Sequence, residues 1–257
     1  MQKNVLVFDF DETLGSFSQL YTFWMLIKLF FNNNIEKKHF YSILDDNELF
    51  FRPNIFKIFN TIKNKKKIKS CSKVIIYSNN NAEFFWIEII KDYIHHKLNY
   101  KLIDQIIRNY KIDNKICEPC RTTYDKTFND FIKCTELSKN TNICFFDDKL
   151  HENMLNDNVL YINLKPYNYN VKFETLIKKF YISNLKLFNN KNYNDFHDFV
   201  IQNTKKYNLE FINKTLIEKK IETILTDNII KIIKKFANKH IFTKKYKQTK
   251  KNFTKKL

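Results

Sequence analysis

Acidic side chains stand in pairs at two points of the sequence where an apolar run ends. Asp9 and Asp11 follow the first run, and Asp147 and Asp148 follow another. Several carboxylates in one crevice repel each other unless a cation compensates their charge. Hard oxygen ligands favour Mg²⁺, which proteins usually bind through one or two carboxylates together with the phosphate of a substrate. The two pairs therefore predict a magnesium site that receives a phosphate group.

A hydroxyl and an ammonium group are available to bind the oxygens of that phosphate. Ser78 follows a third apolar run, and Lys126 lies near the start of an expected helix. In such a site one aspartate can attack phosphorus and form an aspartyl-phosphate, while a second carboxylate protonates the leaving group and later activates water. Taken singly, Ser78 fits a turn hydroxyl, Lys126 a solvated lysine, and the first two aspartates an Asx turn. Their order along the chain favours the site over these alternatives.

Strands and helices alternate along the first two thirds of the chain. Apolar runs rich in Val, Leu, Ile and Phe are typical of strands buried on both faces of a parallel sheet. Such runs cover residues 5–8, 73–77, 143–146 and 159–164, with a weaker one in 103–110. Helical patterns cover residues 17–31, 54–64, 83–95 and 125–137, and residues 32–48 contain an Asn-rich helix stop followed by a polar, acidic stretch. This alternation predicts an α/β fold whose parallel sheet, flanked by helices, gathers the polar strand ends at one edge.

The composition is typical of a globular, intracellular protein. The 257 residues include 44% hydrophobic residues, enough to bury a core. Only three of the 45 basic residues are Arg and there is a single Gly, a bias that indicates an AT-rich genome. No signal peptide precedes the first strand, and the best membrane candidate, residues 20–31, is interrupted by Lys28 and too short to span a membrane. We therefore expect a soluble protein of the cytoplasm or nucleus that does not contact a membrane.

The pattern of the sequence changes towards the C-terminus. We expect a core over residues 1–168, a helical extension over 169–240 and a disordered lysine-rich tail over 241–257. Residues 231–257 contain eleven Lys and neither Asp nor Glu. Such a segment fits a solvated tail or a contact with nucleic acid or another polyanion, and the sequence favours neither.

The five cysteines are too few and too scattered for a disulfide scaffold. Cys117 and Cys120 are separated by two residues, as in many zinc sites, and His95 and His96 could supply the missing ligands. A zinc site, a redox pair and ordinary buried thiols are the alternatives. Because a second Cys pair is missing from the sequence, we expect buried thiols.

The order of the polar motifs is similar to that of the haloacid-dehalogenase (HAD) superfamily of phosphatases, and the resemblance covers residues 3–167. The four motifs of that superfamily match, in order, residues 9–14 (Asp-Phe-Asp-Glu-Thr-Leu), Ser78, Lys126 and Asp147-Asp148. With Arg52-Pro53, the first motif most resembles the branch that dephosphorylates the C-terminal domain of RNA polymerase II, which includes the NLI-interacting-factor family. Reading frames of large DNA viruses and protists share short stretches such as residues 77–80, which leaves a viral origin open.

The resemblance implies a role for each motif residue within a HAD-type, Rossmann-like sheet. Asp9 would be the nucleophile and would ligate Mg²⁺ through its other oxygen. Asp11 would be the general acid and base, and its backbone carbonyl would bind the metal. Asp148 would be the direct metal ligand of the last pair with Asp147 in support, or the reverse. Thr13 would support the loop of the first motif and reach the phosphate with its hydroxyl. The other residues that would contact the phosphoryl group are Ser78, Asn79 and Lys126.

Three further positions bear on this resemblance. Asn54 stands where the branch usually has Gly after Arg-Pro, so it requires a left-handed backbone that Asn tolerates. Asp148 stands where the polymerase-tail phosphatases commonly have Asn, which puts that particular substrate in doubt. Arg52 is compatible with holding the helix that follows it or with binding phosphate.

The connections between the motifs leave room for little or no cap domain over the site. An open site suits a macromolecular substrate, whereas a small metabolite gains from a closure that expels water. The helix over residues 17–31 could instead fold over the mouth as a small lid. We therefore expect a Mg²⁺-dependent phosphatase for phosphoserine or phosphothreonine in a protein or peptide. The alternatives are a phosphatase for nucleic-acid ends, recruited by the lysine-rich tail, and a catalytically silent adaptor with the same fold.

Overall fold

A five-stranded parallel sheet forms the centre of the computed structural model, which describes residues 4–207, 212 and 214–238. The strands in chain order are β1 (Asn4–Phe8), β2 (Lys73–Tyr77), β3 (Gln105–Ile107), β4 (Lys111–Ile112), β5 (Lys115–Ile116), β6 (Asn142–Asp147) and β7 (Val159–Asn163). The sheet has the order β3-β2-β1-β6-β7, every pair in it is parallel, and β4 and β5 form a separate antiparallel hairpin. The predicted α/β fold with a parallel, Rossmann-like sheet is confirmed.

Helices cover both faces of this sheet. In the described ranges they are α1 (Ser18–Phe30), α2 (Lys37–Asp46), α3 (Ile55–Lys67), α4 (Phe85–Leu98), α5 (Phe128–Thr135), α6 (Phe173–Ser183), α7 (Tyr193–Thr204) and α8 (Leu216–Asn238). Successive side chains of a strand point to opposite faces. Leu6 and Phe8 therefore join the core formed with all the helices except α5, whereas Val5 and Val7 face α5. None of the described helices has the length and apolar character needed to cross a membrane.

The C-terminal helices pack on the same layer as the helices between β1 and β2. α1 contacts α7, α2 contacts α6, and α3 contacts α8. Phe23 of α1, for example, lies against Phe180 of α6 and Phe196 of α7, with ring centroids 6.1 and 6.5 Å apart. Helix α1 is thus held within this layer. The lysine-rich tail predicted over residues 241–257 lies outside the described residues.

Helix α2 was not expected, because the sequence indicates only an Asn-rich helix stop and then a polar, acidic stretch over residues 32–48. Phe40, Ile43 and Leu44 are buried in the core, and they lie at the i, i+3 and i+4 spacing of one helix face. Most of the other residues of α2 are polar or charged, so the apolar stripe is too short to stand out in the sequence. The structure forms a helix within this polar stretch because its short apolar face packs in the core.

The expectation that Cys120 is a free buried thiol is also wrong, because it forms a disulfide with Cys134 of α5. The two Cα atoms lie 5.0 Å apart, within the range that a disulfide can bridge. Cys117 is free and partly exposed. His95 accepts a hydrogen bond from the amide of Ile103, so the zinc alternative loses one Cys and one His of its four ligands.

The single glycine of the sequence, Gly15, lies where the loop after β1 meets the residues before α3. It forms β-bridges with Asp11 and Phe51. A Cβ atom added to Gly15 would lie 2.3 Å from the carbonyl oxygen of Phe50 and 2.5 Å from the ring of Phe17. Close approach of the backbone, and not a special turn, therefore requires glycine at this position.

Gly15→Ala is expected to lower the free energy of unfolding by about 1–3 kcal/mol, the usual cost of forcing extra atoms into a packed region. In a protein of this size, Tm falls by roughly 2–4 °C for each kcal/mol. The measurement is thermal unfolding by circular dichroism. Ser18→Ala, at an exposed position three residues further on, is the control and should leave Tm unchanged. An unchanged Tm in Gly15→Ala would show that the loop can move away from Phe50 without cost.

Candidate active site

Strands β1, β2 and β6 end side by side at one edge of the sheet. The register pairs Phe8 of β1 with Ile76 of β2 and with Phe146 of β6. The amide of Asp9 donates to the carbonyl of Phe146 over 2.8 Å, so Asp9 lies beside Asp147 at this edge. The structure thus brings together Asp9 and Asp147, which lie more than a hundred residues apart in the sequence.

Lys126 lies between two carboxylates of this cluster. Its Nζ atom donates to Oδ1 of Asp9 over 2.5 Å and to Oδ2 of Asp147 over 2.7 Å. The lysine is 2% exposed, and it precedes α5, whose N-cap Thr127 accepts a hydrogen bond from the amide of Asp130. Capping of α5 fixes the chain directly after Lys126. A buried ammonium group is therefore held against both aspartates.

Burial and charge act in opposite directions on this trio. Burial raises the pKa of Asp9 to about 6, although the ammonium of Lys126 acts to lower it. Burial likewise raises the pKa of Asp147 against the effect of Lys126. For Lys126 itself, burial acts to lower the pKa, but the charges of the two aspartates outweigh burial and raise it. The lysine is thus held in its charged form, while the aspartates ionise less readily than exposed ones.

Asp11 is half-buried next to this trio and is held by Asn80. The side-chain amide of Asn80 donates to Oδ2 of Asp11 over 2.6 Å. Asn80 is fixed in turn, because its backbone amide donates to Oγ of Ser78 over 3.0 Å and its Oδ1 accepts from the amide of Ala82 over 2.8 Å. Burial raises the pKa of Asp11 to about 7, while the hydrogen bond from Asn80 acts to lower it. Asp11 is therefore an oriented carboxyl group that exchanges protons near neutral pH.

Thr13 and Asp148 hold each other through two hydrogen bonds. The hydroxyl of Thr13 donates to Oδ1 of Asp148 over 3.0 Å, and it accepts from the backbone amide of Asp148 over 3.0 Å. Thr13 is buried and Asp148 is half-buried. The Thr13 hydroxyl therefore fixes the second aspartate of the last motif relative to the loop after β1.

Three aspartates of the site could hold a metal ion. Asp9, Asp147 and Asp148 each offer a carboxylate oxygen, and these oxygens lie within 4.8 Å of one another. Carboxylate oxygens are hard donors, which suit a divalent cation such as Mg²⁺ or Ca²⁺ better than a softer metal. Carboxylates that lie close together repel each other, which raises the pKa of each and also favours a bound cation. The donor set therefore fits a hard divalent cation.

Arg121 ties the loop after β2 to the loop that carries Lys126. Its guanidinium group donates to Oδ1 of Asn79 over 2.8 Å and to the carbonyls of Tyr124 and Asp125 over 2.9 and 3.1 Å. The side chain of Asn79, predicted to bind the phosphoryl group, is thus engaged by Arg121, whereas its neighbour Asn80 contacts Asp11. Neither Asn80 nor Arg121 is among the site residues that the sequence predicts.

Arg52 is buried beneath the loop after β1, where its side chain binds backbone carbonyls. Its Nε atom donates to the carbonyl of Thr13 over 2.9 Å, and its Nη2 atom donates to the carbonyls of Glu12 and Lys165 over 2.7 and 2.8 Å. None of its side chain is exposed. These contacts favour a structural role for Arg52 over phosphate binding, because its donors are engaged within the chain. Asn54, two residues later, has a φ angle of 60° and so adopts the left-handed backbone that its replacement of Gly requires.

His151 lines the site from the side of the last motif. Its Nδ1 atom lies 2.6 Å from Oδ1 of Asp125, and its Nε2 atom lies 3.7 Å from Oδ2 of Asp147. Burial lowers the pKa of His151. The imidazole therefore connects the loop before Lys126 to the strand end that carries Asp147.

No protein-family model, curated protein or solved structure matches this chain. The resemblance to HAD phosphatases consequently stays a prediction from the sequence.

Proposed function

We propose that this protein is a phosphomonoester hydrolase that works through an aspartyl-phosphate with the help of Mg²⁺. The observation that carries the proposal is the contact of buried Lys126 with Asp9 and Asp147 at the carboxyl edge of the sheet. Ligands of open α/β sheets bind at this edge. A buried cation beside several carboxylates, with a hydroxyl nearby, is suited to a dianionic phosphate and to the charge that develops on it.

The cation of the proposal would be held by Asp9, Asp147 and Asp148, with the backbone carbonyl of Asp11 as a further donor. Mg²⁺ in particular suits a site of few carboxylates that also receives phosphate oxygens. When bound, Mg²⁺ would neutralise part of the phosphate charge and polarise the bonds from phosphorus to oxygen.

The remaining steps belong to side chains of the site. A carboxylate oxygen of Asp9 attacks phosphorus, and the bond from phosphorus to the ester oxygen breaks. Asp11 gives its proton to that departing oxygen and then takes a proton from the water that hydrolyses the aspartyl-phosphate, so it ends as it began. The pKa of about 7 supports this exchange of protons by Asp11. Lys126 would balance the charge on Asp9 and the phosphoryl oxygens, and Ser78 would bind one of those oxygens.

The proposed substrate of this protein is phosphoserine or phosphothreonine in another protein. Asp11, Glu12 and Asp148 are half-buried, and α1 is packed against α7 rather than held free as a lid. A site of this kind can receive a phosphorylated side chain that projects from a larger molecule. A panel of phosphopeptides and of 5′- and 3′-phosphorylated oligonucleotides separates this substrate from nucleic-acid ends.

Hydrolysis of a chromogenic aryl phosphate tests the reaction class. We expect turnover with Mg²⁺, loss of turnover with EDTA, and recovery when Mg²⁺ is added in excess of EDTA, because the aspartates need a cation to accept a phosphate. The measurement is the release of the phenolate at fixed pH. Full turnover in EDTA would contradict the proposed mechanism.

A further inference from the structure

Helix α8 reaches the loop after β1 from the far C-terminal part of the described chain. It packs on α3, and the hydroxyl of Thr226 donates to the carbonyl of Pro53 over 2.7 Å. This contact places Glu222, one helical turn earlier on the same face, beside Arg52. The sequence indicates no link between this helix and the chemistry, since 170 residues separate the two charged groups.

Glu222 forms a buried ion pair with Arg52. Its Oε2 atom accepts from Nη1 of Arg52 over 2.8 Å, and the two side chains are 5% and 0% exposed. Burial acts to lower the pKa of Arg52, and the charge and hydrogen bond of Glu222 oppose that effect. A buried charge without its partner is strongly unfavourable. Glu222 therefore allows the guanidinium group to remain charged and buried under the loop.

Arg52 uses its other donors to hold the backbone of Glu12 and Thr13, which directly follow Asp11. It binds the carbonyls of Glu12 and Thr13, and the carbonyl of Glu12 also accepts from the amide of Tyr167 over 2.8 Å. Glu12 has a φ angle of 59°, a left-handed conformation that a residue with a side chain keeps only when its surroundings hold it. Glu12 directly follows Asp11, so the fixed backbone of Glu12 acts together with the hydrogen bond from Asn80 to position the Asp11 carboxyl group.

We propose that Glu222 is a positioning residue for this site, and that α8 is part of the catalytic unit. Glu222 keeps the guanidinium group of Arg52 in place, and Arg52 in turn fixes the backbone of Glu12 and Thr13. Glu12 adjoins Asp11 in the chain, and Thr13 binds Asp148, so both carboxyl groups are positioned through this loop. The catalytic consequence rests on the proposed phosphatase function. The effect of Glu222 on the loop does not rest on it.

Glu222→Gln tests the proposal with two readouts on the full-length protein. Amide hydrogen exchange, read by mass spectrometry, should become at least about tenfold faster in residues 10–15 and stay unchanged in β6. For an aryl phosphate, kcat should fall by about 10- to 100-fold while KM changes by less than about threefold, because displacement of a catalytic group affects the reaction more than binding. Asp227→Asn is the matched control. It removes a carboxylate of α8 that pairs with exposed Lys57 over 3.0 Å, and both readouts should stay as in the unchanged protein.

Unchanged exchange in residues 10–15 of Glu222→Gln would overturn the proposal. Exchange that becomes equally fast throughout the sheet would also overturn it, because such a result indicates that Glu222 contributes to stability alone. If Glu222→Gln does not fold, the double variant Arg52→Met, Glu222→Met replaces the ion pair by an apolar contact, which proteins often tolerate. This variant should fold and still show fast exchange in residues 10–15, and slow exchange there would overturn the proposal. If the unchanged protein hydrolyses no phosphate ester, the proposed function fails, while the exchange data still decide the effect of Glu222 on the loop.

Discussion

Replacement of Asp9 by asparagine is expected to abolish hydrolysis of an aryl phosphate and formation of a phosphorylated enzyme. The substitution keeps the size of the side chain but removes the carboxylate oxygen that would attack phosphorus. Loss of the group that forms a covalent intermediate lowers kcat by on the order of 10⁴-fold or more. Turnover is measured with Mg²⁺ in excess, and acid-quenched enzyme is digested and analysed by mass spectrometry for a phosphoryl group on the peptide that contains Asp9.

Asp113→Asn is the matched control for the change of charge. Asp113 is exposed in the turn between β4 and β5, and its φ angle of 48° is one that asparagine adopts readily. Its turnover should equal that of the unchanged protein. Full turnover in Asp9→Asn, or a phosphoryl group on a different peptide of the unchanged protein, would rule out Asp9 as the nucleophile.

The strand ends of the site could be predicted because their signal is local. An apolar run followed directly by an aspartate or serine is visible within about ten residues, and the geometry of parallel sheets then puts such ends at one edge. Asp9, Ser78 and Asp147 all lie at the ends of strands of the same sheet. Only the order of the motifs points to Lys126, since no local pattern distinguishes it from the other lysines of the chain.

The partners of these residues could not be predicted because they depend on tertiary contacts. Asn80 looks like any residue of an Asn-rich turn until the fold brings it to Asp11, and the same holds for Glu222 and Arg52. One signal in the sequence was available. Only three of 45 basic residues are Arg, and Arg52 and Arg121 both hold loops of the site through several carbonyl oxygens at once. Lysine cannot reproduce the planar set of donors that this requires, so arginines that persist in a lysine-rich chain indicate such positions.

Lys126→Met is expected to reduce both turnover and stability. The substitution leaves Asp9 and Asp147 buried without their shared cation, and removal of one partner from a buried ion pair costs about 3–5 kcal/mol. Turnover should fall by about 10²–10³-fold, the usual loss when a group that stabilises developing charge is removed. Thermal unfolding and the aryl phosphate assay measure the two effects on the same preparation.

The dependence of stability on Mg²⁺ separates the loss of charge compensation from the loss of packing. In Lys126→Met, Mg²⁺ should raise Tm by more than it does in the unchanged protein, because a cation bound by the aspartates takes over part of the compensation that the lysine provided. Lys133→Met is the control. Lys133 is exposed on α5, and its replacement should alter neither Tm nor the response to Mg²⁺. An equal response to Mg²⁺ in Lys126→Met and in the unchanged protein would contradict a shared site for the lysine and the metal, because the two cations would then act on different carboxylates.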